Sequence, residues 1–365
     1  MKKVFIASGE VSGDNLGAWY LNLLKQEDLD LQCHAIGGDA LEKAGANLYE
    51  RIEKLNMVGV LEVIKHIRFI FSFAKELVEY ILQNDFDEVI LVDFPGFNLM
   101  VAKKLKKKNP NIKITYLSPP QVWAWGEWRI KKLKKYCDKL IVLYPFEVDW
   151  YKQRGIETVY LGNPVCSKLK PYLDSQNSEP ENQIAILPGS RKSEIEKLLP
   201  IFADVVRRLK LAWPNIKIVL PLAESFSVGY IENRLKKNGL LRWGSDIEIV
   251  IGEQQKLKAL SRCCLAITKP GTITLELALL EIPSVIVYKT SWVTYFVAKL
   301  LVKIKFMSLP NLLLNKPVYK EFIQKDCKAD LIFEHVNNLY KSFLAKNNQS
   351  NNLKNQFVQL KELFL

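Results

Sequence analysis

Asp93 closes the run "ILVDFPGFN", an apolar strand-like segment that breaks at Pro95 and Gly96. A carboxylate there, beside Phe94 and Phe97, has the surroundings of a general base; an aspartate that merely caps the turn accounts for it as well. Nearer the N-terminus, "GEVSGD" offers Glu10, Ser12, Gly13 and Asp14 in a similar turn. Gly9, Gly13 and Gly17 recur at every fourth position. That is not the G-x-G-x-x-G dinucleotide fingerprint, and it argues against NAD.

Two loops in the second half suit phosphate. In "LPGSRKSEI", Gly189 permits close backbone approach, and Ser190 and Arg191 stand just before a helix start, whose amides attract anions. In "TKPGTITLELAL", Gly271 and Thr272 again precede a helix, with Glu276 one turn in, where a carboxylate could accept from ribose hydroxyls. Each loop alone reads equally as an ordinary capped helix start. Two in one half, one with an arginine, point to a nucleotide.

Metal chemistry finds no support in the residue inventory. The three histidines, His34, His66 and His335, are far apart, and the six cysteines form no C-x-x-C pair. Two D-x-D strings, Asp28-Leu29-Asp30 and Asp85-Phe86-Asp87, both precede strand-like runs, at the sheet edge away from the carboxyl ends. They read as turn residues, and no metal is expected.

The elements that must carry these residues alternate. Val4–Ala7, 88–94, 113–118 and 139–144 are short apolar, strand-like runs separated by helical patterns, the signature of a parallel α/β sheet. Residues 166–183, "CSKLKPYLDSQNSEPENQ", lose periodicity and read as a linker. Beyond it the plan restarts, with strands over 184–187, 216–223, 247–252, 264–268 and 283–289. The expectation is two Rossmann-like halves, 1–165 and 184–339, facing a ligand-binding cleft. The tail, about 340–365, reads as a terminal helix packing on one of the halves, with a return to the first half as the candidate.

The 365 residues carry a formal net charge of +13, which implies an anionic partner. The opening apolar run is too short for a signal peptide and no uncharged run reaches about 18 residues, so a cytoplasmic, soluble or peripheral protein is expected. Residues 57–81 form a broad amphipathic pattern: a core helix explains it, and so does a helix at a membrane surface or acyl groove. In "SPPQVWAWGEWRIKKLKKYC", Ile130, Leu133 and Cys137 mark an inward stripe, leaving the lysines outward toward solvent or lipid headgroups. No nucleic-acid-binding pattern accompanies the charge, and none is expected to bind.

"ASGEVSGDNLGA", "VDFPGFN", "SPPQVWAW", "LPGSR", "GTITLELAL" and "SLPNLL" followed by "KEFIQ" together resemble the ordered motif set of the lipid A disaccharide synthase family, from residue 4 to about 327. The resemblance implies an inverting, metal-independent glycosyltransferase of the GT-B fold, with no cofactor. It would join a UDP-2,3-diacylglucosamine donor to 2,3-diacylglucosamine 1-phosphate through a β-1,6 linkage, at the cytoplasmic face of an anionic inner membrane, as a monomer or an oligomer. It implies Asp93 as catalytic base and Arg191 and Asn311 on the nucleotide, with Gly189, Ser190, Gly271, Thr272 and Glu276 around the diphosphate and ribose. The acceptor-side candidates are then Glu10, Ser12, Gly13, Asp14, Asn98, Gln121, Trp123 and Arg129. Leu61, Val63, Ile64, Ile67, Ile70 and Phe71 are the membrane or acyl contacts. The sequence departs from the family at Pro270, Gly126 and Asn163, where serine, arginine and histidine are usual. The alternatives are another UDP-sugar GT-B enzyme, with a different lipid acceptor or an epimerase activity, and a non-enzymatic membrane or RNA-binding protein.

Overall fold

Strand Glu88–Val92 is buried along its whole length, as a parallel strand covered on both faces must be. In the computed structural model the described residues are 2–56, 63–173, 180–222, 226–237, 247–292, 295–296, 299, 305–345 and 349–364. They form two units, Met1–Pro164 and Val165–Leu365. Each is built on an all-parallel sheet.

The first sheet comprises β1 (Lys3–Ala7), β2 (Gln32–Gly37), β3 (Asn47–Arg51), β4 (Glu88–Val92), β5 (Lys113–Leu117), β6 (Lys139–Val142) and β7 (Thr158–Tyr160). Their order is β3-β2-β1-β4-β5-β6-β7. Alternate side chains serve opposite cores: Phe5, Val89, Leu91, Ile114 and Tyr116 on one face, and Val4, Ile6, Ile90, Val92 and Leu117 on the other. The chain leaves β1 in one direction and returns at β4 to build the other, so a crevice opens at the carboxyl ends of β1 and β4.

Helix Val63–Gln83 takes part of the 57–81 pattern into the core, through Phe73, Ala74, Leu77, Val78 and Ile81. Phe71 shares the face of Val78, one heptad earlier, yet is 52% exposed, and Ile70 is half-buried. The core-helix reading therefore holds for the last turns, while Phe71 is outside that core. Leu61 lies outside the described residues, as do the side chains of Val63, Ile64 and Ile67. In helix Ile130–Tyr136, Leu133 is buried and the lysines are exposed, as expected.

The second sheet comprises β8 (Glu181–Leu187), β9 (Lys217–Leu222), β10 (Glu248–Ile251), β11 (Cys263–Thr268), β12 (Ser284–Tyr288) and β13 (Lys320–Ile323), ordered β10-β9-β8-β11-β12-β13. Its order reverses between β8 and β11. Two readings of the chain between and after the sheets are corrected. The segment read as a linker begins with helix Pro164–Leu173, whose Val165, Cys166 and Leu169 are buried. That short inward stripe precedes Pro171, whose presence masks it in the sequence. The C-terminal helix, Gln349–Phe364, packs within the second unit: Phe357 and Leu360 close a small core with Ala278, Ile286, Val318 and Tyr319. Lys361 adds a 2.6 Å ion pair to Glu281. Among the described residues no helix is long and apolar enough to cross a membrane.

Candidate active site

The crevice of the first unit contains a cavity of about 100 Å³ lined by Gly9, Glu10, Gly13, Val92, Asp93, Phe94 and Pro95. Two helices, Val11–Glu27 and Pro95–Lys108, begin at it. The first amides of a helix have no intrahelical acceptor and favour negative charge. Asp93, Glu10 and Gly13 thus meet where the motifs "GEVSGD" and "VDFPGFN" come together, at the point where strand order reverses.

Asp93 sits on an unusual backbone. Its φ is 47° and that of Phe94 is 44°, two consecutive non-glycine residues in the left-handed region. Each such residue costs roughly 1–3 kcal/mol and persists only where its surroundings hold it. Here the Asp93 N–H donates to the Leu117 carbonyl at 3.1 Å. Its carbonyl accepts from the Tyr116 hydroxyl at 2.6 Å and the Asn98 amide at 2.8 Å. Burial, with the Asp93 charge adding to it, pushes the Tyr116 hydroxyl well above its ordinary range and keeps it a donor. The Asp93 side chain itself faces solvent. Gly9 permits the turn: a Cβ there would stand 2.4 Å from the Phe94 ring.

Several acceptor-side candidates turn out to build the crevice. Asn98 is 1% exposed, and its amide also donates to the Val92 carbonyl at 3.1 Å and, at 3.4 Å, to that of Ala7. It fastens the turn that follows β4 and reaches β1 only through the long Ala7 contact. The Asp14 carboxylate is buried and accepts from the backbone N–H groups of Gly38, Ala40 and Leu41 at 2.7, 2.9 and 3.2 Å. It fastens the loop after β2. Ser12 is exposed beside the cavity, and Gly13 packs on Ser8 and Val92.

After β5 the loop carrying Gln121, Trp123 and Arg129 is set out in a different way. Gln121 is exposed. Trp123 is half-buried and donates its indole N–H to Glu147 at 2.9 Å. The Arg129 guanidinium lies 4.1 Å from the Trp125 ring and 5.3 Å from that of Trp128. Gly126 has φ 74°, so a glycine in place of the usual arginine suits this turn. Asn163, where histidine is usual, donates to the Leu143 carbonyl at 3.0 Å.

In the second unit the two phosphate-loop candidates come side by side at the carboxyl ends of β8 and β11. Glu194 joins them. One of its oxygens accepts from the Ser190 and Arg191 N–H groups at 3.2 and 3.3 Å, and the other meets the Lys269 ammonium at 2.8 Å. Gly189 has φ 126°, and a Cβ on it would fall 2.3 Å from Glu194 Oε2. Gly271 has φ 147° and heads helix Thr272–Leu279; Arg191 and Thr272 are exposed.

Glu276 and Asn311 are engaged within the protein. The buried Glu276 carboxylate pairs with Lys168 at 2.8 Å and Lys256 at 2.9 Å, and Glu253 bridges the same two lysines. Asn311 is 1% exposed and exchanges two 2.8 Å hydrogen bonds with the Tyr319 backbone, with a third to Glu321 at 2.9 Å. It anchors the 319–321 segment.

Glu147, Glu194, Lys168 and Lys256 are missing from the sequence-based set. Glu147 and Glu194 each stand in the first turn of a helix, the position at which a glutamate reaches back to free backbone N–H groups, and that spacing was the available signal. Nothing local marks the lysines; only the fold brings them to Glu276.

A family model described as lipid-A-disaccharide synthetase matches residues 4–363. The chain belongs to that family. It is 34% identical over 367 residues to lipid-A-disaccharide synthase 1 of Legionella pneumophila strain Lens, covering 99% of this chain and 92% of that one. This lipid-A-disaccharide synthetase family member is accordingly a glycosyltransferase of lipid A biosynthesis that forms the disaccharide. Among solved structures, UDP-GlcNAc 2-epimerase of Neisseria meningitidis, bound to UDP-GlcNAc, superposes with a TM-score of 0.61 at 12% identity, covering 99% of each chain. MurG of Acinetobacter baumannii does so at 0.57 and 14%, covering 99% of this chain and 95% of that one. These likenesses place the family member in the GT-B fold.

Proposed function

We propose that the enzyme transfers 2,3-diacylglucosamine from its UDP donor to the 6-hydroxyl of 2,3-diacylglucosamine 1-phosphate, with inversion and without a metal. The observation that carries this is Asp93, held on a strained turn at the rim of the first-unit cavity. The acceptor 6-oxygen attacks C1 of the donor sugar as its proton passes to the Asp93 carboxylate. The C1–oxygen bond to the diphosphate breaks on the opposite face, and UDP leaves with the bonding electrons. A well-placed base contributes on the order of 10²–10⁴ in rate.

The donor belongs to the second unit in this reading. Arg191 and the first amides of helices Lys192–Ala212 and Thr272–Leu279 stabilise the charge gained by the departing diphosphate. Two helix N-termini at the first-unit cavity suit an anionic acceptor. The exposed Phe71 and the net charge of +13 support association of the protein with an anionic membrane surface from its cytoplasmic face. The test is a product assay in detergent micelles with both substrates, EDTA present and absent. A β-1,6-linked disaccharide 1-phosphate formed equally under both conditions is expected. An α linkage, or loss of product with EDTA that is restored by a divalent cation, would overturn the mechanism.

A further inference from the structure

Glu147 has no role in the chemistry above, yet it is one of the most buried carboxyl groups in the first unit. It stands on helix Pro145–Lys152 and is 3% exposed. Oε2 accepts from the backbone N–H groups of Leu143 and Tyr144 at 3.3 and 3.1 Å, which is the ordinary work of a glutamate in the first turn of a helix. That task needs one oxygen. The other, Oε1, accepts from the Trp123 indole at 2.9 Å, across to the loop that follows β5.

A capping glutamate normally keeps its second oxygen in water. Burying this one raises the carboxyl to about 7, with the indole and the two backbone donors pulling against burial. Such a cost is tolerated only where the buried acceptor meets a donor. The Trp123 ring is also set edge-on against Phe146, at 5.2 Å, and the Tyr151 hydroxyl reaches the Pro120 carbonyl at 3.4 Å. The helix therefore grips the loop from Pro120 to Trp123. The same loop starts at the strand whose Leu117 and Tyr116 hold Asp93.

We infer that Glu147 is a positioning residue for the glycosyl transfer: through the Trp123 indole it sets the loop after β5, and with it the acceptor's seat beside Asp93. The inference rests on the reading that the acceptor binds the first unit. A merely structural glutamate would lower stability when replaced and leave the kinetics of the folded enzyme alone. A positioning glutamate moves one substrate's kinetics and does so through Trp123.

The experiment measures kcat and the KM of each substrate in micelles for Glu147→Gln, Glu147→Leu, Trp123→Phe and the Glu147→Leu/Trp123→Phe double variant. Circular dichroism confirms that each is folded. Glu147→Gln keeps one acceptor oxygen, which can serve the indole only by turning its NH2 toward the Leu143 and Tyr144 N–H groups, and is expected to lose less acceptor kcat/KM than Glu147→Leu. Trp123→Phe, the mildest change to the loop, and Glu147→Leu are each expected to lose about 10-fold in kcat/KM for the acceptor, with the donor KM within 2-fold. The double variant is expected to be no worse than the poorer single one, because both remove the same bond. Normal kinetics in folded Trp123→Phe, or losses that multiply in the double variant, would overturn the coupling. Non-multiplying losses confined to the donor KM would keep the coupling and overturn the placement of the acceptor.

Discussion

Asn98→Leu removes the amide that holds the turn after β4 while nearly preserving side-chain volume. The substitution deletes good hydrogen bonds to the carbonyls of Asp93, at 2.8 Å, and Val92, at 3.1 Å, and a long one to Ala7, at 3.4 Å. A buried acceptor left unsatisfied costs about 1–3 kcal/mol. Asp93 keeps the Tyr116 hydroxyl at 2.6 Å, and the Ala7 bond is too long to count for much. With the Val92 carbonyl the remaining acceptor, the expected loss is roughly 1–3 kcal/mol. A second effect follows from the backbone. Asp93 and Phe94 hold left-handed φ angles of 47° and 44°. Without Asn98 the turn relaxes, and a base displaced by about 1 Å costs on the order of 10² in rate. Urea unfolding followed by circular dichroism, and kcat in micelles at saturating substrates, read the two effects separately. A folded Asn98→Leu enzyme within about 0.5 kcal/mol of wild type and with unchanged kcat would refute the claim that this amide holds the site.

Burial raises the Glu147 carboxyl from 4.5 to about 7, so between those values the folded protein binds a proton that the unfolded chain has released. Stability contributed by this group is present at low pH and is lost as pH rises through that window, by about 3 kcal/mol in all. Glu147→Gln should therefore flatten the fall in urea midpoint between pH 5 and pH 8; an unchanged slope would contradict it. Gly189→Ala places a Cβ 2.3 Å from Glu194 at φ 126°, and should cost about 1–3 kcal/mol and raise the donor KM more than the acceptor KM. Lys168→Met leaves the buried Glu276 with Lys256 alone, and a donor KM raised about 5- to 10-fold at constant acceptor KM is the expected kinetic result.

The strand–helix alternation was legible because parallel strands buried on both faces read as continuous apolar runs, as "EVILV" does at β4. Glycine-bearing turns marked the ends of β1, β4, β8 and β11, where strand order reverses, so the loops that meet in each unit could be named in advance. What local pattern could not show is which polar groups are consumed by the fold. Asp14 looks like a ligand-facing residue in sequence, but backbone N–H groups 24–27 residues away engage it, and the buried Asn98 spends its amide on the carbonyls of Val92 and Asp93. Helix Pro164–Leu173 was hidden by Pro171, and the tail's preference for the second unit depends on Tyr319, a strand-edge residue brought near only by topology.

The central claim is that Asp93 accepts the acceptor's proton. Single-turnover formation of the disaccharide 1-phosphate by Asp93→Asn, an isosteric change that removes only the base, tests it most directly. The predicted result is a folded enzyme that binds both substrates normally and forms product at least ~100-fold more slowly than wild type. Product formed at the wild-type rate would remove Asp93 from the chemistry and assign the strained turn another purpose.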